Sequence, residues 1–219
     1  MSRLAKTPTA VIFDLDGVLL DTEPLYTTAA NRVLKPWGKE IDWSLKGQIM
    51  GKHPMQSAKL VLDALGVPLT PEEYVTLRKR ELRELFRGPP AMPGAEAWLA
   101  TLRQAGVPLG IGTSSTRELC DLKFESHAFL REVSPIVCGD EVAERKPAPD
   151  IFLKVAELLN QTPNNCLVFE DSPAGVRAAK TAGMQVIAVA AEGLDRSLLR
   201  RADWIVSSYD EVTLQSIGY

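Results

Sequence analysis

Six short, largely apolar runs punctuate the chain: Ala10 to Phe13, Val107 to Gly112, Pro135 to Cys138, Cys166 to Phe169, Gln185 to Ala190 and Trp204 to Val206. Each is short for a helix and lacks the alternation of a strand with one wet face, so each reads as a strand buried on both sides. Between the later runs the period changes. Pro149 to Leu159 places Ile151, Phe152, Val155, Leu158 and Leu159 at the spacing of an amphipathic helix. Gly94 to Ala105 begins after Pro93 and stops before Gly106. Ser172 to Ala182 opens with Ser172 as N-cap and Pro173 at the first helical position, and closes at Gly183. Strands alternating with helices predict an α/β fold, a Rossmann-like parallel sheet covered on both faces, with its ligand site outside the carboxyl ends of the strands.

The first strand does not lead directly into this alternation. The segment from Asp21 to Ala91 is helical in pattern, with candidates at Leu25 to Leu34, Ser57 to Leu65 and Pro71 to Phe86, separated by Gly38, Gly51, Gly66 and the break Gly88-Pro89-Pro90. The expected organisation is an α/β core of residues 1–21 and 92–219 with a helical module, residues 22–91, inserted after strand one. Its hinges fall near Thr22 to Pro24 and Gly88 to Pro90. The length of 219 residues agrees, being large for one core and small for two full domains.

Composition narrows the function classes. No stretch approaches the roughly 18 uninterrupted apolar residues of a membrane span. The run Ala10 to Phe13 is cut by Asp14, too short for a secretory signal, so a cytoplasmic location is expected. Cys120, Cys138 and Cys166 have no C-x-x-C spacing and read as reduced core thiols. A net charge of −3 gives no electrostatic footprint for nucleic acid. The densest basic stretch, Arg78 to Arg87, is interleaved with Glu81 and Glu84 as on a solvated helix face. Neither nucleic acid nor membrane is expected as a partner, and an anionic substrate would depend on a few placed cations or a metal.

The candidate chemistry gathers at strand ends. Asp14 and Asp16 follow the first strand directly, where two carboxylates repel unless they share a cation or one is protonated; an acidic turn ending a strand has the same composition. Glu170-Asp171 ends the fourth strand and leads into the Ser172 helix start, a place where acids also favour the helix dipole. In a parallel sheet both pairs lie at one edge, and four hard oxygen donors without His or Cys suit Mg²⁺. Thr113, Ser114 and Ser115 after the second strand offer hydroxyl and backbone donors for phosphate oxygens, or equally an N-cap cluster. Lys146 is fixed before Pro147, just ahead of a helix near the same edge. Gly110-x-Gly112 lies within a strand, and Ser115 stands where a dinucleotide loop needs its third glycine, so that reading is discarded.

In combination the chain resembles the haloacid dehalogenase superfamily of phosphohydrolases. The resemblance spans nearly the full length and rests on four ordered motifs: DLDGVLLDT from Asp14, GTSS from Gly112, KPAPD from Lys146 and EDSPAG from Glu170. It implies that Asp14 is the nucleophile forming an aspartyl-phosphate and that Asp16 is general acid, then general base, its pKa raised by neighbouring negative charge. Mg²⁺ would be held by Asp14, the backbone carbonyl of Asp16, and Asp171 with help from Glu170. Thr113 and Lys146 would hold the transferring oxygens, and the helical insert would be the cap.

The acid at Asp16 separates the chain from the halide-releasing members. The capped phosphosugar mutases carry a cap histidine and arginine where this chain has Tyr26 and Pro54, which favours a phosphatase over the mutase alternative. Gly51-Lys52, Met92 to Glu96, and Asp121-Leu122-Lys123 with His127 are similar to segments of pseudouridine 5′-phosphatase-like proteins. Lys52 and His53, in the cap loop, are candidate substrate contacts beside Thr113, Ser114, Ser115 and Lys146, while His127 reads as structural. The expectation is a monomeric Mg²⁺-dependent phosphatase whose partner is a small phosphate ester, a sugar or nucleoside monophosphate. A non-enzymatic phospho-acceptor or binding module is the remote alternative.

Overall fold

The computed structural model describes residues 4 to 49 and 54 to 219. Its α-helices, in chain order, are α1 (Glu23–Leu34), α2 (Trp43–Ile49), α3 (Pro54–Leu65), α4 (Pro71–Leu85), α5 (Ala95–Gln104), α6 (Arg117–Phe124), α7 (Asp150–Leu158), α8 (Pro173–Thr181) and α9 (Leu214–Ile217). The strands are β1 (Ala10–Phe13), β2 (Leu109–Gly112), β3 (Ile136–Val137), β4 (Cys166–Glu170), β5 (Gln185–Val189) and β6 (Trp204–Val206). All six expected strands are present, and three α-helices among the described residues, α2, α6 and α9, lie outside the helices expected from the sequence. No helix among the described residues is long and apolar enough to cross a membrane.

The strands form one parallel sheet in the order β3-β2-β1-β4-β5-β6. Strand alternation divides its apolar residues between two cores. Val11, Phe13, Ile111, Leu167, Phe169 and Ile187 face Trp98, Leu99 and Leu102 of α5. Ala10, Ile12, Val168, Val186 and Ala188 face Ile151, Phe152 and Val155 of α7 and Val176 and Ala179 of α8. The glycines of β2 belong to this packing. A Cβ at Gly110 would stand 2.5 Å from Val155 Cγ1, and one at Gly112 would stand 2.7 Å from Ile151 Cγ2, so they allow α7 to approach the sheet closely.

The chain lays β2 and β3 on one side of β1 and β4 to β6 on the other, so strand order reverses at β1. In such a sheet the ligand crevice opens at the carboxyl end of that strand. Phe13, the last residue of β1, is in register with Ile111 and Phe169, which brings the residues after β1, β2 and β4 to one edge.

The chain divides into two compact units, Met1–Asp21 with Pro90–Tyr219, and Thr22–Pro89. Pro90 and Ala91 fall in the unit that contains the sheet, because the Asp21 N–H donates to the Pro90 carbonyl (2.8 Å) and Leu20 bridges Ala91. The second unit has its own core, built from Ala30, Val33 and Leu34 of α1, Leu45 of α2, Val61 and Leu62 of α3, and Tyr74 of α4. Helix α4 begins with a complete capping box, Thr70 accepting from the Glu73 N–H and Glu73 from the Thr70 N–H.

Candidate active site

Asp14 leaves the end of β1 with its N–H donated to the Phe169 carbonyl (2.9 Å), which fixes the backbone between β1 and β4. Its side chain is buried, and Oδ1 accepts a hydrogen bond from Lys146 Nζ at 2.5 Å. Lys146 reaches this point from the loop before α7. Its ammonium also donates to Glu170 Oε1 (2.8 Å) and the Gly112 carbonyl (3.0 Å), and lies 4.5 Å from the Phe152 ring centroid.

Glu170, the last residue of β4, is saturated with donors. Its Oε2 accepts from the N–H groups of Asp171 (2.8 Å) and Ser172 (2.7 Å) and from Ser172 Oγ (2.9 Å), while Oε1 takes Lys146. Ser172 caps α8, accepting from the Gly175 N–H at 3.0 Å. The carboxylate therefore braces both the turn into α8 and the lysine. Two glycines leave room for this arrangement: a Cβ at Gly175 would fall 1.6 Å from Glu170 Oε1, and one at Gly17 would fall 2.1 Å from Asp171 Oδ2. Gly17 also has φ +80°, a conformation disfavoured for other residues.

Asp16 is held by a different lysine. Lys123 Nζ of α6 donates to Asp16 Oδ1 (2.6 Å) and to Ser115 Oγ (2.8 Å), and Ser115 Oγ donates to Asp16 Oδ2 (2.8 Å). The polar groups of Ser115 expected to face phosphate are thus engaged within the protein, since its N–H also donates to Thr113 Oγ1 (3.1 Å). Thr113 is fully buried at the end of β2, while Ser114 is exposed. Lys52 and His53 lie outside the described residues. Tyr26 packs edge-on against Phe86 in the helical unit, and His127 against Phe129 in the other.

Sequence reasoning missed the Lys123–Asp16 pair and Tyr209, whose hydroxyl donates to the Val18 carbonyl (3.0 Å) and whose ring stacks on Phe169. A usable signal for the former was Thr116 as N-cap, followed by Cys120 and Lys123 at i, i+3 on one helix face.

One oxygen from each of Asp14, Glu170 and Asp171 lies within 4.8 Å of the others. Two of these three carboxylates, Asp14 and Glu170, share the Lys146 ammonium. Burial pushes the Asp14 carboxyl up to about 7, Lys146 opposing and Glu170 and Asp16 adding to the rise. Burial, with Glu170 and Asp14, pushes Asp171 well above the ordinary aspartate range. Burial works against the Lys146 charge, but Asp14 and Glu170 outweigh it and raise its pKa. The site thus has an excess of negative charge and only oxygen donors. A hard dication fits both properties, and these residues can hold one.

Residues 11 to 189 match the family model described as haloacid dehalogenase-like hydrolase. The chain belongs to the haloacid dehalogenase-like hydrolase family. A relative in Arabidopsis thaliana, (DL)-glycerol-3-phosphatase 1, mitochondrial, is 41% identical over 91% of this chain and 70% of its own length. A Drosophila melanogaster relative named "Probable pseudouridine-5'-phosphatase" is 37% identical over 99% of this chain and 96% of its own. The crystal structure of a haloacid dehalogenase family hydrolase from Deinococcus radiodurans, with bound phosphate and sodium, superposes with a TM-score of 0.78 at 26% identity, covering 94% of each chain. Within this family the chain is a phosphoric monoester hydrolase.

Proposed function

We propose that the chain is a Mg²⁺-dependent phosphatase of small phosphorylated metabolites, working through an aspartyl-phosphate on Asp14. The observation that carries this reading is the buried Asp14 carboxylate at the switch point of the sheet, flanked by Lys146, Glu170 and Asp171, with Asp16 two residues on. Asp14, Asp171 and the Asp16 carbonyl would hold Mg²⁺, with Glu170 bracing the loop, and the bound ion would supply positive charge to the transferring oxygens. Lys146 orients the Asp14 oxygen and balances part of its charge, while the Thr113 hydroxyl binds a phosphoryl oxygen.

In the first half-reaction an Asp14 oxygen attacks phosphorus, the bond to the leaving oxygen breaks, and that oxygen takes the proton of Asp16. In the second, Asp16 accepts a proton from water as the water oxygen attacks phosphorus. The phosphorus bond to Asp14 then breaks, free phosphate leaves and both carboxyl groups return to their starting states. The helical unit, Thr22–Pro89, is assigned the choice of leaving group, with Lys52 and His53 as its candidate contacts.

The substrate class is supported by the relatives, whose names specify glycerol 3-phosphate and pseudouridine 5′-phosphate. The test is phosphate release with Mg²⁺ across a panel of sugar, nucleoside and polyol monophosphates. At least one member should give a kcat/KM above about 10⁴ M⁻¹s⁻¹, the lower end for a natural substrate. Conversion of β-glucose 1-phosphate to glucose 6-phosphate without matching free phosphate would instead identify a mutase.

A further inference from the structure

We propose that Lys123 is a positioning residue for the proton-transferring carboxyl of Asp16, acting with Ser115 as a two-point clamp. The inference rests on the role given to Asp16 above. Lys123 is fully buried in α6, on the face that also carries Cys120. Burying an ammonium is costly, and a buried ion pair is commonly no more stable than apolar side chains of similar volume. An ammonium in that place is therefore poorly explained by stability alone.

The geometry supplies a different reason. Lys123 Nζ holds Asp16 Oδ1, Ser115 Oγ holds Asp16 Oδ2, and the two anchors are themselves bonded, with edges of 2.6, 2.8 and 2.8 Å. With both oxygens engaged, rotation of the carboxyl plane is restrained. Asp16 nevertheless keeps 23% of its side chain exposed, so the clamp restrains it without sealing it from a ligand. The two lysines divide the acids between them: Lys146 serves Asp14 and Glu170, and Lys123 serves Asp16. Their donors come from different elements, the loop before α7 and helix α6, so orientation of the nucleophile and of the acid can be perturbed separately.

A general acid matters most when the departing oxygen is strongly basic, and misplacing a catalytic group by an ångström can cost about 10²-fold. The experiment compares an alkyl phosphate with p-nitrophenyl phosphate for wild type, Lys123→Met, Ser115→Ala, Asp16→Asn and the Lys123→Met/Asp16→Asn double variant, with circular dichroism to verify folding. Met keeps the volume of the lysine stem. Lys123→Met should lose about 10- to 100-fold in kcat on the alkyl ester, at least tenfold more than on the aryl ester, with KM changed by less than about threefold. Ser115→Ala should show the same selectivity more weakly, and it supplies the readout if Lys123→Met does not fold. In the Asp16→Asn background, Lys123→Met should add little further loss.

Equal losses on both esters from the Lys123 and Ser115 variants, or a full additional loss in the double variant, overturn the inference while Asp16→Asn remains selective. If Asp16→Asn is itself unselective, the proton-donor role of Asp16 fails and the clamp falls with it.

Discussion

Neutralising Asp14 should stabilise the metal-free protein at alkaline pH although it removes the proposed nucleophile. Its carboxyl is pushed by burial from an ordinary 3.8 up to about 7. Between those values the native state keeps a proton that the unfolded chain has released, so this group's contribution to stability falls as pH rises from about 4 to about 7. About three pH units at about 1.4 kcal/mol each set a ceiling of about 4 kcal/mol. Asparagine keeps the volume but loses the charged contact with Lys146, which leaves a net gain of about 1–3 kcal/mol. For a chain of this size that is about 3–8 °C in Tm. The assay is thermal unfolding of wild type and Asp14→Asn in a chelator at pH 5 and pH 8. The variant should melt higher at pH 8, and its advantage should shrink at pH 5, where only about one of the three pH units has been crossed. Mg²⁺ at about a hundred times its Kd should return about 2.7 kcal/mol to wild type at pH 8, less at pH 5, and less to the variant. An advantage for the variant that is equal at both pH values, or larger at pH 5, would show that burial does not raise the Asp14 pKa.

Gly175→Ala puts a Cβ where Glu170 Oε1 now lies, and should destabilise the protein by about 3 kcal/mol in urea unfolding while lowering activity, because Glu170 must release Lys146 or the turn into α8. Ser172→Ala removes the α8 cap and should cost about 1 kcal/mol by the same measurement. Lys146→Met leaves Asp14 and Glu170 facing each other without their shared cation; kcat should fall about 10²- to 10³-fold, and a change in KM alone would count against its role in charge stabilisation.

Much of the sheet is legible in the sequence because a buried parallel strand has little freedom of composition. The expected strand from Cys166 to Phe169 needed only Glu170 added, and that from Val107 loses only its first two residues. Helix α2 is seven residues long, too short for two turns of periodicity to show. Helix α6 is hidden for another reason: one of its fully buried side chains is a lysine, so its inner face does not read as apolar. That miss concealed the partner of Asp16, 107 positions away in the chain. Carboxylates at strand ends could be placed on one edge because parallel strands point the same way. Which lysine meets which carboxylate depends on side-chain reach across loops, which no local pattern encodes. Ser115 illustrates the limit, since a hydroxyl suited to phosphate is turned onto Asp16 by a lysine eight residues further on.

In the proposed reaction Asp14 carries the phosphoryl group between the two half-reactions. With p-nitrophenyl phosphate the leaving group departs readily, so breakdown of the intermediate is expected to limit turnover and the acyl phosphate to accumulate. Acid quench during turnover with Mg²⁺, borohydride reduction and peptide mass spectrometry should then find homoserine at position 14. Steady phosphate release with Asp14 unmodified and another residue trapped would exclude Asp14 as the nucleophile.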